Sequence, residues 1–158
     1  MSGDVRVLPL RGIPELEKGD DLGALIVAAA EPGGGFELGD ILVVAQKAVS
    51  KVEGQVVHLS DVEPSARACE LAGGDDARRI EVILRESREI VRTRPPLVIA
   101  ETKHGFVCAS AGVDASNAKG PDTLVLLPID PDASARRLRD RVRELAGAAV
   151  GVIVSDSF

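Results

Sequence analysis

The sequence predicts a mixed α/β (α+β) fold, a mixed sheet with packed helices. Three observations carry that expectation. Continuous aliphatic runs, of which Ile41-Leu-Val-Val-Ala45 is the clearest, read as strands covered on both faces. Segments with apolar residues at three-to-four spacing, such as Ile80, Ile83, Leu84, Ile90 and Val91, read as helices. The stretch Leu97–Ala109 reads as a β-hairpin, which excludes a purely parallel sheet.

The elements follow in order. Val5–Leu10 reads as a first strand ended by Pro9, and Arg11–Leu16 as a loop punctuated by Gly12 and Pro14. Asp20 and Asp21 precede the apolar run 22–30, a buried helix whose start they favour through capping and the helix dipole. Pro32 and Gly33–Gly35 end it. Strand 41–45 then opens into Gln46, Lys47, Ser50 and Lys51, read as a donor-rich loop. Val56–Leu59 reads as a short strand, and Pro64-Ser65 leads into a helix through Cys69 and Leu71 that stops at Gly73. Asp75-Asp76 starts a helix that runs through Val91 until Pro95-Pro96. After the hairpin, Thr123–Leu127 is a strand. Asp130-Pro131 starts a helix with Leu138, Val142 and Leu145 as its apolar stripe and Gly147 as its stop. Ala149–Val154 is the last strand.

The whole chain bounds the function classes. At 158 residues it suits a single region, 1–158, with a real core. With three Phe, no Trp and no Tyr it lacks base-stacking platforms, and a net charge of −6 disfavours a nucleic-acid backbone partner. Cys69 and Cys108 do not make a disulfide framework and read as small buried hydrophobes. His58 and His104 lack His or Cys at ligand spacing. Met1–Leu10 has no signal-peptide pattern, and no apolar run approaches the ~18 residues of a membrane span, so the expectation is a cytoplasmic protein without a membrane partner. The run Gly151–Phe158 is a strand leading into polar residues, the pattern of an N-terminal portion of a longer protein.

Three strand ends carry the chemistry. One delivers Gln46, Lys47 and Lys51, one delivers Asp114 and Asn117, and one delivers Asp156 and Ser157. Lysine is a point-charge phosphate ligand, and hard divalent cations take carboxylates and hydroxyls. Together these residues fit metal–nucleotide chemistry. The Gly-rich pattern of a Walker A loop is missing. Taken singly, each end also reads as a solvated turn.

The segments Val7–Leu16, Gly19–Leu22, Asp40–Gly54, Ala111–Asn117 and Gly151–Ser157 resemble, in that order, the N-terminal portion of the coenzyme F420-0:L-glutamate (gamma-glutamyl) ligase family. The motifs Gln46-Lys-x-Val-Ser-Lys-x-Glu-Gly54 and Ala111-Gly-x-Asp-x-Ser-Asn117 are the most specific. The resemblance implies a GTP-dependent ligase that joins L-glutamate to the side-chain carboxylate of coenzyme F420-0, releasing GDP and phosphate through an acyl phosphate. It implies Mg²⁺ or Mn²⁺, with two divalent sites, and a larger, intertwined two-domain subunit in a homodimer with sites at its interface. By motif, Ile13, Pro14, Glu15, Leu16, Gln46, Lys47, Lys51 and Asn117 would bind GTP, and Asp114, Asp156 and Ser157 the metals. Ser157 stands where relatives more often carry Thr. Lys51 and Asp114 would be the catalytic pair. The readings weighed against this one are a non-catalytic nucleotide-binding or dimerisation fragment and an unrelated metal-dependent phosphotransferase.

Overall fold

A computed structural model describes residues 4–115, 120 and 122–156. Its elements are, in order, α1 (Leu22–Ala30), β1 (Ile41–Ala45), α2 (Gln46–Glu53), β2 (Val56–His58), α3 (Ala66–Ala72), α4 (Ala77–Glu86), β3 (Ser87–Arg94), β4 (Leu97–Thr102), β5 (Val107–Ala109), β6 (Thr123–Val125), α5 (Pro131–Ala146) and β7 (Gly151–Ser155). The class is mixed α/β, as the sequence predicts. The strands divide into three small sheets: β1 with β7, β2 with β6, and β3-β4-β5. The chain separates into two compact units, Met1–Gly54 with Asp130–Ser155, and Gln55–Ile129 with Asp156–Phe158.

In the first unit β1 and β7 lie parallel, Ile41 opposite Gly151 through Ala45 opposite Ser155. Leu42, Val44 and Val150 turn inward and meet Leu22 and Ile26 of α1 and Leu138 and Val142 of α5. Asp21 and Asp130 start the two helices as predicted, their carboxylates accepting the N–H groups of Ala24 and Ala133 at 3.0 and 2.8 Å. Asp21 also accepts two hydrogen bonds from the Arg141 guanidinium, at 2.7 and 2.9 Å, which ties the start of α1 to α5. The guanidinium first, and the Ala24 N–H second, hold the Asp21 carboxyl below its usual range. The helices meet at Gly23, where a Cβ would stand 2.5 Å from Arg141 Cγ. Any larger residue there separates them.

In the second unit α3 and α4 pack on β4 through Ala68, Leu71, Ile80, Ile83, Val98 and Ala100. The strand pair β2–β6 contributes Leu124. The hairpin is present, with Ala100 opposite Cys108. His104 in its turn donates through Nε2–H to the carbonyls of Pro128 and Ile129, at 2.8 and 3.1 Å.

Five expectations are corrected. Residues 5–10 form no strand: Val5 and Val7 are exposed, and no described strand pairs with them. The segment 46–51 is helical, not a loop, because Gln46, Val49 and Ser50 fall on one buried helical face. The helix predicted through Val91 stops at Glu86, and the following strand pairs with β4 through Ile90 and Thr93, with an irregularity between Ile90 and Arg92 where Val91 stands. β1 is covered on one face only, with Leu42 and Val44 buried but Ile41 and Val43 above 60% exposed (64% and 61%). Cys108 is buried, whereas Cys69 is exposed because it lies off the buried face of α3.

Glu81 gives the second unit a pH signature. Its carboxylate accepts from the Ser65 hydroxyl and N–H, at 2.6 and 3.0 Å, and from Arg85 at 2.9 Å. These bonds, those from Ser65 first, lower its pKa from 4.5 to about 2. A depressed carboxyl stabilises the fold above its unfolded pKa, and that contribution is lost as pH falls through the folded value. Urea unfolding between pH 5 and 2 should therefore show a steeper acid loss for the wild type than for Glu81→Gln. Equal slopes would show that these bonds contribute nothing to the acid limb.

Candidate nucleotide and metal sites

In the first unit the parallel strands end side by side at Ala45 and Ser155. Ligand sites in α/β proteins gather beyond the carboxyl ends of such strands. Here β1 passes directly into α2, whose cap residue, Ala45, offers no side-chain acceptor to the first turn. The positive end of the helix dipole favours an anion at that end. Gly54 closes the other end in the left-handed conformation at φ 73°.

The face of α2 is set by its side chains. Gln46 and Ser50, one turn apart, are 4% and 0% exposed. The Gln46 amide donates to the Ser50 hydroxyl at 2.7 Å. That bond compensates much of the cost of burying two polar groups. Lys47 and Lys51 share the adjacent face at the same i, i+4 spacing. Lys51 is mostly enclosed, its side chain 14% exposed, and its ammonium pairs with Glu15 at 2.5 Å.

Glu15 is held by its neighbours. Ile13 and Leu16 are partly buried against the unit's apolar cluster, so the intervening Pro14 and Glu15 face outward. The Gly19 N–H donates to the Val52 carbonyl at 2.9 Å, fixing the following turn to α2. The structure thus brings together Ile13–Leu16, Gln46, Lys47 and Lys51 in one unit. Sequence reading named these residues but missed the helix that aligns them. Its signal was the i, i+4 pair Gln46–Ser50 in step with Val49.

The second unit holds the two predicted carboxylates. Asp114 exchanges both backbone hydrogen bonds with Val125, at 3.0 and 2.8 Å, and is half-buried. A tight turn precedes it, with Ser110 and Ala111 at φ 54° and 52°. Non-glycine residues in the left-handed region concentrate at functional sites. Sequence reading missed this turn; the small residues Ala111-Gly112 were the signal. Asp156 is exposed. Burial first, and the Asp156 charge more weakly, push the Cys108 thiol up against the lowering hydrogen bond from Gly112. The Asp156 carboxylate therefore lies within electrostatic reach of β5. Asn117 and Ser157 fall outside the described residues.

Among the described residues no group of three or more His, Cys, Asp or Glu side chains could hold a metal ion by itself. Asp114 and Asp156 are of the chemical type that Mg²⁺ takes, one or two carboxylates with waters and substrate phosphates completing the shell. Among the described residues no helix is long and apolar enough to cross a membrane.

A family model described as F420-0:Gamma-glutamyl ligase matches residues 12–158. A protein named coenzyme F420:L-glutamate ligase from Methanopyrus kandleri is 48% identical over 97% of this chain and 60% of its own length. Proteins of the same name from Archaeoglobus fulgidus and Methanothermobacter thermautotrophicus are 43% and 41% identical, with 97% of this chain covered in both and 60% and 62% of theirs. The chain thus spans about 60% of the length of the curated relatives it matches.

The buried amide–hydroxyl pair of α2 is open to test. Ser50→Ala removes the hydroxyl and leaves the Gln46 amide without that acceptor, which costs about 1–3 kcal/mol. Urea unfolding should show that loss, and a change below ~0.5 kcal/mol would mean the amide finds another partner.

Proposed function

The chain belongs to the F420-0:gamma-glutamyl ligase family, and on that premise we propose that it acts in GTP-dependent addition of L-glutamate to the side-chain carboxylate of coenzyme F420-0. The observation that carries the nucleotide part is local. The start of α2, which follows Ala45 directly, stands at the end of a parallel strand, with Lys47 and Lys51 aligned along the helix. N–H dipoles and ammonium groups of this kind suit a polyphosphate.

The residues divide the work by chemistry. Ile13–Leu16, Gln46, Lys47 and Lys51 bind GTP, with Asn117 as a further contact. Lys51 stabilises charge on the transferred phosphoryl group. Asp114 and Asp156, with Ser157, hold Mg²⁺ or Mn²⁺. When bound, the metal would offset phosphate charge and orient the phosphoryl group.

The reaction balances in two steps. A carboxylate oxygen of coenzyme F420-0 bonds to the γ-phosphorus as the bond to GDP breaks. The glutamate amine then bonds to the acyl carbon, phosphate leaves, and the amine gives up a proton. Positioning supplies much of the acceleration in such a scheme. The assembly we propose is a homodimer in the cytoplasm.

Product release tests the reading. With Mg²⁺ present, GDP should appear only when the deazaflavin acid and glutamate are both supplied. GDP formed without either one points to a phosphotransferase. Tight GTP binding without any turnover reduces the role of this chain to nucleotide binding. A second expectation concerns Asp114. Asp114→Asn should abolish the strengthening of GTP binding by Mg²⁺ or Mn²⁺, measured calorimetrically, with an unchanged circular-dichroism spectrum. Full metal dependence in that variant would remove Asp114 from the ligand set.

A further inference from the structure

Resting on that nucleotide reading, we infer that Glu15 is a built-in competitor of the incoming phosphate, and that it sets how tightly α2 accepts a polyphosphate. Lys47 and Lys51 stand one turn apart on α2, a like-charge spacing that is unfavourable by itself. Lys51 is also largely enclosed, its side chain 14% exposed, so its ammonium needs a nearby anion. Glu15 supplies one at 2.5 Å.

The two partners differ in environment. Glu15 is 54% exposed, on a short outward stretch between the anchored residues Ile13 and Leu16. Its carboxylate is thus open to water, whereas Lys51 is committed by its place on the helix. Lys51 stands in the last turn of α2, and helical side chains lean toward the N-terminus, so its stem runs back along the face that carries Lys47. A phosphate oxygen and the Glu15 carboxylate therefore ask for the same donor. Both cannot sit on it without repelling each other. Glu15 leaves Lys51 as phosphate arrives, and the affinity measured is the difference between the two contacts.

Glu15 is thus a negative determinant of polyphosphate affinity, although it belongs to the stretch that lines the nucleotide site. The effect scales with ligand charge: it is felt by triphosphate and absent for the uncharged nucleoside.

The experiment is calorimetric titration of the whole chain with inorganic triphosphate, GTP and guanosine. Glu15→Gln should bind triphosphate and GTP about threefold to tenfold more tightly than wild type, and guanosine equally. Glu15→Ala, which lacks the amide that the glutamine variant carries, should behave the same way. In the Lys51→Met background the Glu15→Gln gain should vanish, which separates competition for Lys51 from a general change of field. Wild-type binding that Glu15→Gln leaves unchanged or weakens overturns this inference alone. A wild-type chain that binds neither triphosphate nor GTP overturns the nucleotide reading, and this inference with it. A gain that persists with Lys51→Met also overturns it, since Lys51 would not be the contested group.

Discussion

The first unit depends on the parallel pairing of β1 with β7. These strands are five residues each and come from distant parts of the sequence. Parallel strands cannot be joined by a tight turn, so the intervening chain must complete a long crossover before either strand has a neighbour. The free-energy gain comes late and has to offset that closure entropy. It is secured by Leu42, Val44 and Val150 meeting α1 and α5 in one cluster. The same pairing sets Ala45 beside Ser155, so the start of α2 is defined by a tertiary register and not by local sequence.

That dependence explains what the sequence disclosed. Helix starts were legible at Asp21, Asp76 and Asp130 because an aspartate cap is a local event, written within three residues of the N–H it accepts. Gly73 and Gly147 were legible as stops for the same reason. The segment 46–51 was not, since its helix follows a cap with no side-chain signal and its polar residues imitate a loop. Ser87–Arg94 was misread because Ile90 and Val91 also fit the helical period of α4. Pairing with β4 decided the matter, and pairing is not visible in a window of ten residues. The identities of the candidate site residues came through better than their settings. Lys51 and Glu15 could be named from motif, but their contact required folding the loop 13–16 against α2.

The candidate site in the first unit is best understood as a balance of charges. A helix start and two aligned lysines gather positive charge in a chain whose formal net charge is −6. Glu15 tempers that potential where Lys51 is most enclosed. In the second unit the logic is reversed. Asp114 is fixed by two backbone bonds to β6 and follows a strained turn, an arrangement that holds its backbone in place. The first unit presents ammonium groups, a donor type that suits phosphate, and the second presents carboxylates.

The two thiols differ in a way that has a practical use. Cys108 is buried on β5, and burial, with the Asp156 charge, disfavours its thiolate; Cys69 lies exposed on α3. Thiolate is the reactive form, so an alkylating dye distinguishes them by access and by ionisation together. Residues 1–158 therefore carry one accessible labelling position, in the second unit and remote in sequence from Asp114 and Asp156. A fluorophore there reports on that unit without any engineered cysteine.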